Sequence, residues 1–200
     1  MADIGDTFKK LAEDYRRRGE WLLFLEVRRN IDHDRGVSAL NELPLDVPDD
    51  DYRALVRKTW TWSSGIWENR AGWRDIFVGK RRALVSFTSD DDAEKLATLP
   101  DPLIIYRGCC GHNQLGFSWT LDRQRAERFA AFTQEWTKED RRFLVSGKVR
   151  KARVLAYVTT RNEEEIIALP ENVIAQKCED ISHLKPMTEA MIKKLGKNSK

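Results

Sequence analysis

The sequence predicts an α+β protein, a helical N-terminal region followed by a sheet-bearing core. Three observations predict it. Apolar residues in the first half recur at spacings of three and four, the helical period. After Pro102 the apolar residues gather instead into short β-prone runs. These come as one strand, a helix and then a run of strands, an order that favours α+β over a doubly wound sheet. No strand-linked Gly-x-Gly-x-x-Gly is present, so nucleotide binding in the doubly wound manner has no support.

The elements follow in order. Asp6 is placed to cap a helix carrying Phe8, Leu11, Ala12 and Tyr15 on one face, and Trp21 to Val27 reads as its continuation. Pro44 and Pro48 mark a loop. Asp49, Asp50 and Asp51 then supply negative charge at the start of a helix through Tyr52, Leu55, Val56 and Thr59. A further helix is expected near Ile66 to Phe77, and Ser89 with Asp90 to Asp92 opens a short one ending before Pro100. The run 103–106 reads as a strand ending at Arg107-Gly108. Thr120 is read as the cap of a helix with Ala126, Phe129 and Ala130 on one face. Strands are expected at Phe143 to Val145, Lys148 to Arg150, Val154 to Val158 and Glu165 to Leu169. The domain reading is a helical region over 1–99, a core over 100–185 and a basic tail over 186–200, all in one compact unit.

Composition bounds the function. The 200 residues suffice for one compact domain or a domain with a helical extension. Hydrophobic residues at 41% and charged residues at 34% describe a globular chain, not a disordered one. The net charge of +3 permits a phosphate-rich partner without requiring one. Three cysteines, two of them adjacent, imply no disulfide framework and fit a reducing compartment. The first ten residues lack an apolar signal core, and the longest apolar run, Trp21 to Leu25, is too short to span a bilayer. The expectation is a cytoplasmic protein with no membrane partner.

Three stretches carry chemistry: Tyr106-Arg107-Gly108, then Gly116-Phe117-Ser118-Trp119-Thr120 leading to Ala126 and Phe129-Ala130, then Glu163-Glu164-Glu165 before Ile166-Ile167. Each alone has an ordinary reading as a turn, an N-cap or a solvated charge run. In this order the sequence resembles the Arg–Ser–Glu class of mono-ADP-ribosyltransferases over about residues 100 to 175. That class has an Arg-Gly at a strand end, a Ser-x-Thr segment running into a helix, and paired acidic residues just before an apolar strand. The resemblance implies a split β-sandwich core and NAD+ as substrate. It matches the helical first half only loosely.

The chemistry such an enzyme performs fits these residue types. Cleaving the nicotinamide–ribose bond leaves an oxocarbenium-like sugar and a neutral leaving group, so no general acid is required. Arg107 suits a diphosphate or ribose clamp, because a guanidinium forks onto oxygens while remaining charged. Glu165 suits the ribose hydroxyl and the developing cation. Ser118 would orient Glu165. Gly108 offers close approach to its backbone, and Thr120 would support the sheet. Phe129, Phe132 and Trp136 are the alternatives for an aromatic wall beside nicotinamide. The resemblance also implies that Glu163 meets the acceptor, since Glu at that position is associated with modification of arginine. On a strand end Glu163 and Glu165 would share a face, although Glu164 is the competing inward residue.

Other signals are weaker. Cys109-Cys110-Gly111-His112 lacks the spacing of a zinc site and has no second ligand pair, so no metal is expected. Trp60, Trp62, Trp67 and Trp73 read first as core, although Arg57, Lys58, Arg70, Arg74 and the basic run 80–82 lie nearby. Arg141, Arg142, Lys148, Arg150, Lys151 and Arg153 read as the solvated side of strands. Three functions follow: an intracellular toxin or defence effector that ADP-ribosylates nucleic acid, RNA in particular; a transferase acting on protein arginine; and an inactive relative serving as a binding module. A transferase free in its host's cytoplasm would need an antitoxin or other inhibitor as partner.

Overall fold

The computed structural model describes residues 4–34, 36–63, 65–79, 81, 86–137, 141–160 and 163–184; the side chains of 4, 132–137 and 176 fall outside that description. The basic tail and the run 80–82, apart from Arg81, therefore lie outside the described residues, as do the side chains of Phe132 and Trp136. The chain divides into two compact units, 1–87 and 88–200.

The first unit is helical: α1 (Ile4–Arg18), α2 (Trp21–Ile31), α3 (Val37–Asn41), α4 (Asp49–Trp62) and α5 (Arg70–Val78). The single N-terminal helix expected from sequence is two helices. Gly19, at φ 70°, ends α1, with its N–H donating to the Arg16 carbonyl and the Glu20 N–H to the Tyr15 carbonyl. This is a glycine-terminated C-cap in which two carbonyls of the last turn find donors. Asp6 lies inside the first turn of α1, not at its cap. The run Asp49 to Asp51 forms the first turn of α4 as expected. Trp67 precedes α5, while Trp73 lies within it. Trp60 and Trp73 meet edge to face at 4.8 Å, and Trp73 stacks on Phe77 at 5.7 Å. These three are buried and form the centre of this unit's core.

The second unit begins with α6 (Asp90–Thr98), capped by Ser89, whose hydroxyl accepts from the Asp92 N–H. It continues with β1 (Leu103–Cys110), β2 (Ser118–Thr120), α7 (Arg123–Thr137), β3 (Arg142–Val149), β4 (Val154–Val158), β5 (Glu165–Ala168) and β6 (Ile174–Asp180). The strands form one antiparallel sheet in the order β4-β5-β2-β1-β3-β6. β1 pairs with β3 along its whole length, from Leu103↔Val149 to Cys110↔Arg142. β1 and β2 share a single register pair, Tyr106↔Thr120. Two three-stranded halves, β4-β5-β2 and β1-β3-β6, thus meet at one point.

Three local expectations are corrected. Arg107 and Gly108 do not end β1; the strand runs on to Cys110 because β3 pairs with it throughout. The two short runs around 143–150 are one strand, β3, carried through Ser146 and Gly147. Arg142 is not solvated: it is buried, and its Nη2 donates to the Ser182 carbonyl at 2.6 Å and also to that of Leu184.

The sheet has an apolar core on one face, with Leu103, Ile105 and Cys109 of β1, Trp119 of β2, Val145 of β3 and Ile166 of β5. Alternation puts Tyr106, Gly108, Ser118, Thr120 and Glu165 on the other face. There α7 packs Ala126 and Ala130 against Leu144.

Candidate functional site

The site forms where β2 lies between β1 and β5. The register Thr120↔Glu165 and Ser118↔Ile167 makes Ser118 and Glu165 diagonal neighbours on one face. The Ser118 hydroxyl donates to Glu165 Oε1 at 2.5 Å. Both residues are half-buried, whereas Glu164 is exposed. Of the two carboxylates left open by the sequence, Glu165 is therefore the inward one.

Arg107 comes to the same strand from the opposite face. By alternation it points with Ile105 and Cys109, and its guanidinium reaches main-chain oxygens: Nη1 donates to the Ser118 carbonyl at 2.7 Å and Nε to the Asn113 carbonyl at 3.1 Å. Gly116 leaves room for it: a Cβ there would lie 2.5 Å from Arg107 Cζ and would push the guanidinium aside. Burial pulls the guanidinium pKa below its ordinary value, with Cys109 and Glu165 acting in the opposite direction. An arginine remains charged at neutral pH despite this. A continuous line results: Arg107 holds the Ser118 main chain, and the Ser118 side chain holds Glu165.

The remaining predicted residues fall around this line. Thr120 is buried, and its hydroxyl is already engaged: it donates to the Glu163 carbonyl at 2.9 Å and accepts from the Asp122 N–H at 3.1 Å. Thr120 is not the cap of α7. That role belongs to Asp122, whose Oδ1 accepts from the N–H groups of Gln124 and Arg125 at 2.8 and 3.2 Å. Gly108 has a packing reason for its missing side chain: a Cβ there would sit 1.7 Å from the Ala126 carbonyl oxygen of α7. Phe129, on the same helix between Ala126 and Ala130, is 43% exposed.

Glu163 requires a correction to the reasoning that placed it. It precedes β5, and Glu164 between it and Glu165 has φ 44°. The strand rule that puts i and i+2 on one face does not apply across a left-handed residue. What places Glu163 is its carbonyl on the Thr120 hydroxyl, together with the Leu121 N–H donating to the Glu164 carbonyl at 3.3 Å. The turn before β5 is thus fastened to the end of β2, with Glu163 half-buried.

Two contributors were missed in the sequence. Asn113 is buried, accepts from Arg107 through its carbonyl, and takes the Cys110 N–H on Oδ1 at 3.0 Å. Trp119 donates from its indole to the Gly116 carbonyl at 2.9 Å. Together they shape the segment between β1 and β2. An Asn and a Trp bracketing a Gly-x-Ser carry no motif of their own, so only the fold reveals them. Cys109 and Cys110 are buried inside the sheet unit, with the Cys109 thiol donating to the Phe143 carbonyl at 3.6 Å.

Comparison of the chain with protein-family models, curated proteins and solved structures finds no match. Among the described residues no helix is long and apolar enough to cross a membrane. The functional reading therefore stands on the site itself.

Proposed function

We propose that the chain is an NAD+-dependent mono-ADP-ribosyltransferase, with Glu165 as its catalytic carboxylate. The observation that carries this reading is the hydrogen-bonded line from Arg107 through Ser118 to Glu165. Three residues singled out by motif order alone, at positions 107, 118 and 165, lie in one connected arrangement. The finer fold reading, a split β-sandwich, draws support from the single pair joining the two halves of the sheet.

In this reading Ser118 fixes one oxygen of Glu165, and the carboxylate accepts from ribose and faces the positive charge that develops on the sugar. Arg107 acts first as a positioning residue, because two of its nitrogens are engaged by main-chain carbonyls. Its charge adds to the attraction for a diphosphate. Thr120 holds the turn that carries Glu163, leaving Glu163 as the carboxylate on the acceptor side. The space over Gly108 is taken by the α7 main chain, so the close approach expected of its backbone is made by that helix and not by nicotinamide; Phe129, exposed on α7, is the aromatic side chain proposed for nicotinamide.

The acceptor in this proposal is nucleic acid, RNA in particular, and the protein is a cytoplasmic toxin or defence effector kept in check by an antitoxin or other inhibitor. The basic balance of the chain supports such an acceptor. Incubating the protein with adenylate-labelled NAD+ and a cell lysate tests it. Label that protease leaves and ribonuclease releases is the expected result. Label removed by protease alone would replace this acceptor with protein, and absence of any transferred label would favour a binding module.

A further inference from the structure

The four clustered tryptophans separate into two kinds. Trp60 and Trp73 are buried in the helical core. Trp62 and Trp67 are half-buried, and each carries a cation on its ring. Arg29 Cζ lies 4.6 Å and Lys58 Nζ 5.3 Å from the Trp62 centroid; Arg70 Cζ lies 4.8 Å from that of Trp67. Lys58 and Trp62 are four residues apart on α4 and so share a face of that helix. Trp62 and Trp67 bracket the connection from α4 to α5.

The company these cations keep is unusual for this unit. Along α1, Arg16 pairs with Glu13, and Arg17 and Arg18 with Asp14. Arg28 pairs with Asp32 and Glu42, and Arg53 with Asp50. Among the described residues, Arg29, Lys58 and Arg70 form no ion pair; indole faces hold them instead. Positive charge beside accessible aromatic faces is the combination that single strands use, with bases on the rings and phosphates on the cations. An exposed cation–π contact is weak enough for a base to take the ring while the cation swings to phosphate.

We propose that Trp62 and Trp67, with Arg29, Lys58 and Arg70, form a binding surface for single-stranded nucleic acid. This rests on the reading that the acceptor is nucleic acid, and it assigns recognition of the strand to the helical unit. Duplexes hide their base faces and gain only the electrostatic part of the interaction.

Fluorescence anisotropy of the whole protein with labelled strands of about 12 nucleotides, within the usual span of such sites, tests this without NAD+. RNA and DNA single strands of one sequence identify which source is preferred, and a duplex and a poly-glutamate peptide serve as competitors. Single strands are expected to bind more tightly than either competitor. Trp62→Ala should weaken binding about tenfold, the effect of losing one stacked base. Lys58→Gln with Arg70→Gln, both at exposed positions, should lower the salt dependence by about two released ions without disturbing the fold. Arg150→Gln, at an exposed position in the other unit, should change neither. Absence of single-strand binding, equal affinity for the duplex, tighter binding of poly-glutamate, or Trp62→Ala and Lys58→Gln/Arg70→Gln proteins that bind as the wild type would each overturn the proposal. Binding retained by Glu165→Gln, and nicotinamide release retained by Trp62→Ala, keep this test separate from that of the reaction.

Discussion

Glu164 adopts φ 44°, a left-handed conformation that no other non-glycine among the described residues adopts. It sits between the two carboxylates assigned to opposite sides of the reaction. A side chain held in that region costs about 1–3 kcal/mol and persists only where its surroundings enforce it. Here the Thr120 hydroxyl and the Leu121 N–H do so by taking the carbonyls of Glu163 and Glu164. Glu164→Gly should keep stability to within about 1 kcal/mol and keep activity, because glycine enters this conformation freely. Glu164→Val should cost about 1–3 kcal/mol and reduce turnover, because a β-branched residue resists it. Urea unfolding beside an assay of nicotinamide release checks both, and a valine variant as stable and active as the glycine one would contradict the account of this turn. The order of a guanidinium, a hydroxyl and a carboxylate was legible in the sequence, and the fold connects Arg107, Ser118 and Glu165 by hydrogen bonds. The main-chain partners were not legible. Arg107 binds carbonyls six and eleven residues further along the chain, and a carbonyl has no signature in sequence.

At the scale of elements, the helices carried by strong apolar periods, such as α4, were legible, and so was α6 with its Ser89 cap. The break between α1 and α2 was marked by Gly19 yet overridden by the apolar run that follows it. β2 was invisible as a strand because three residues cannot display a period, and its Ser and Thr read more simply as caps. β6 was missed because it lies at the sheet edge, where polar residues such as Lys177, Glu179 and Asp180 are tolerated. β1 illustrates what a buried strand imposes on chemistry. Burial pushes the Cys109 thiol from 9.0 up to about 12, against the nearby Arg107 charge. The unfolded thiol therefore loses its proton near pH 9, while the folded one keeps it until about pH 12. Its contribution is complete below about pH 9 and declines as pH rises toward 12. Tyr52 and Tyr157, both raised by burial, act in the same direction at higher pH. Urea denaturation between pH 8 and 10.5, roughly the span in which the unfolded thiol ionises, should show falling stability in the wild type and a shallower fall in Cys109→Ala. Equal slopes would contradict the burial of this thiol.

For the molecule as a whole, the change from helical to β patterning near Pro102 was legible, since the hydrophobic period itself changes there. The division between units was less so. Contacts divide the chain after residue 87, so α6 belongs to the unit that contains the sheet. Asp92 shows why: buried, it accepts from the Thr159 hydroxyl at 2.5 Å, a pairing across 67 residues that no local pattern announces. Under the two proposals, the reaction falls to the second unit and strand recognition to the first. The central claim is that Glu165, held by Ser118, cleaves NAD+. Release of nicotinamide from NAD+ by the wild type, Ser118→Ala and Glu165→Gln, compared at matched circular dichroism, tests it most directly. The account predicts release by the wild type, a loss of about 10-fold or more in Ser118→Ala as an oriented hydrogen bond disappears, and loss of at least about 100-fold in Glu165→Gln, the scale of removing one electrostatic contact in a transition state. A Glu165→Gln protein that releases nicotinamide at the wild-type rate would contradict it.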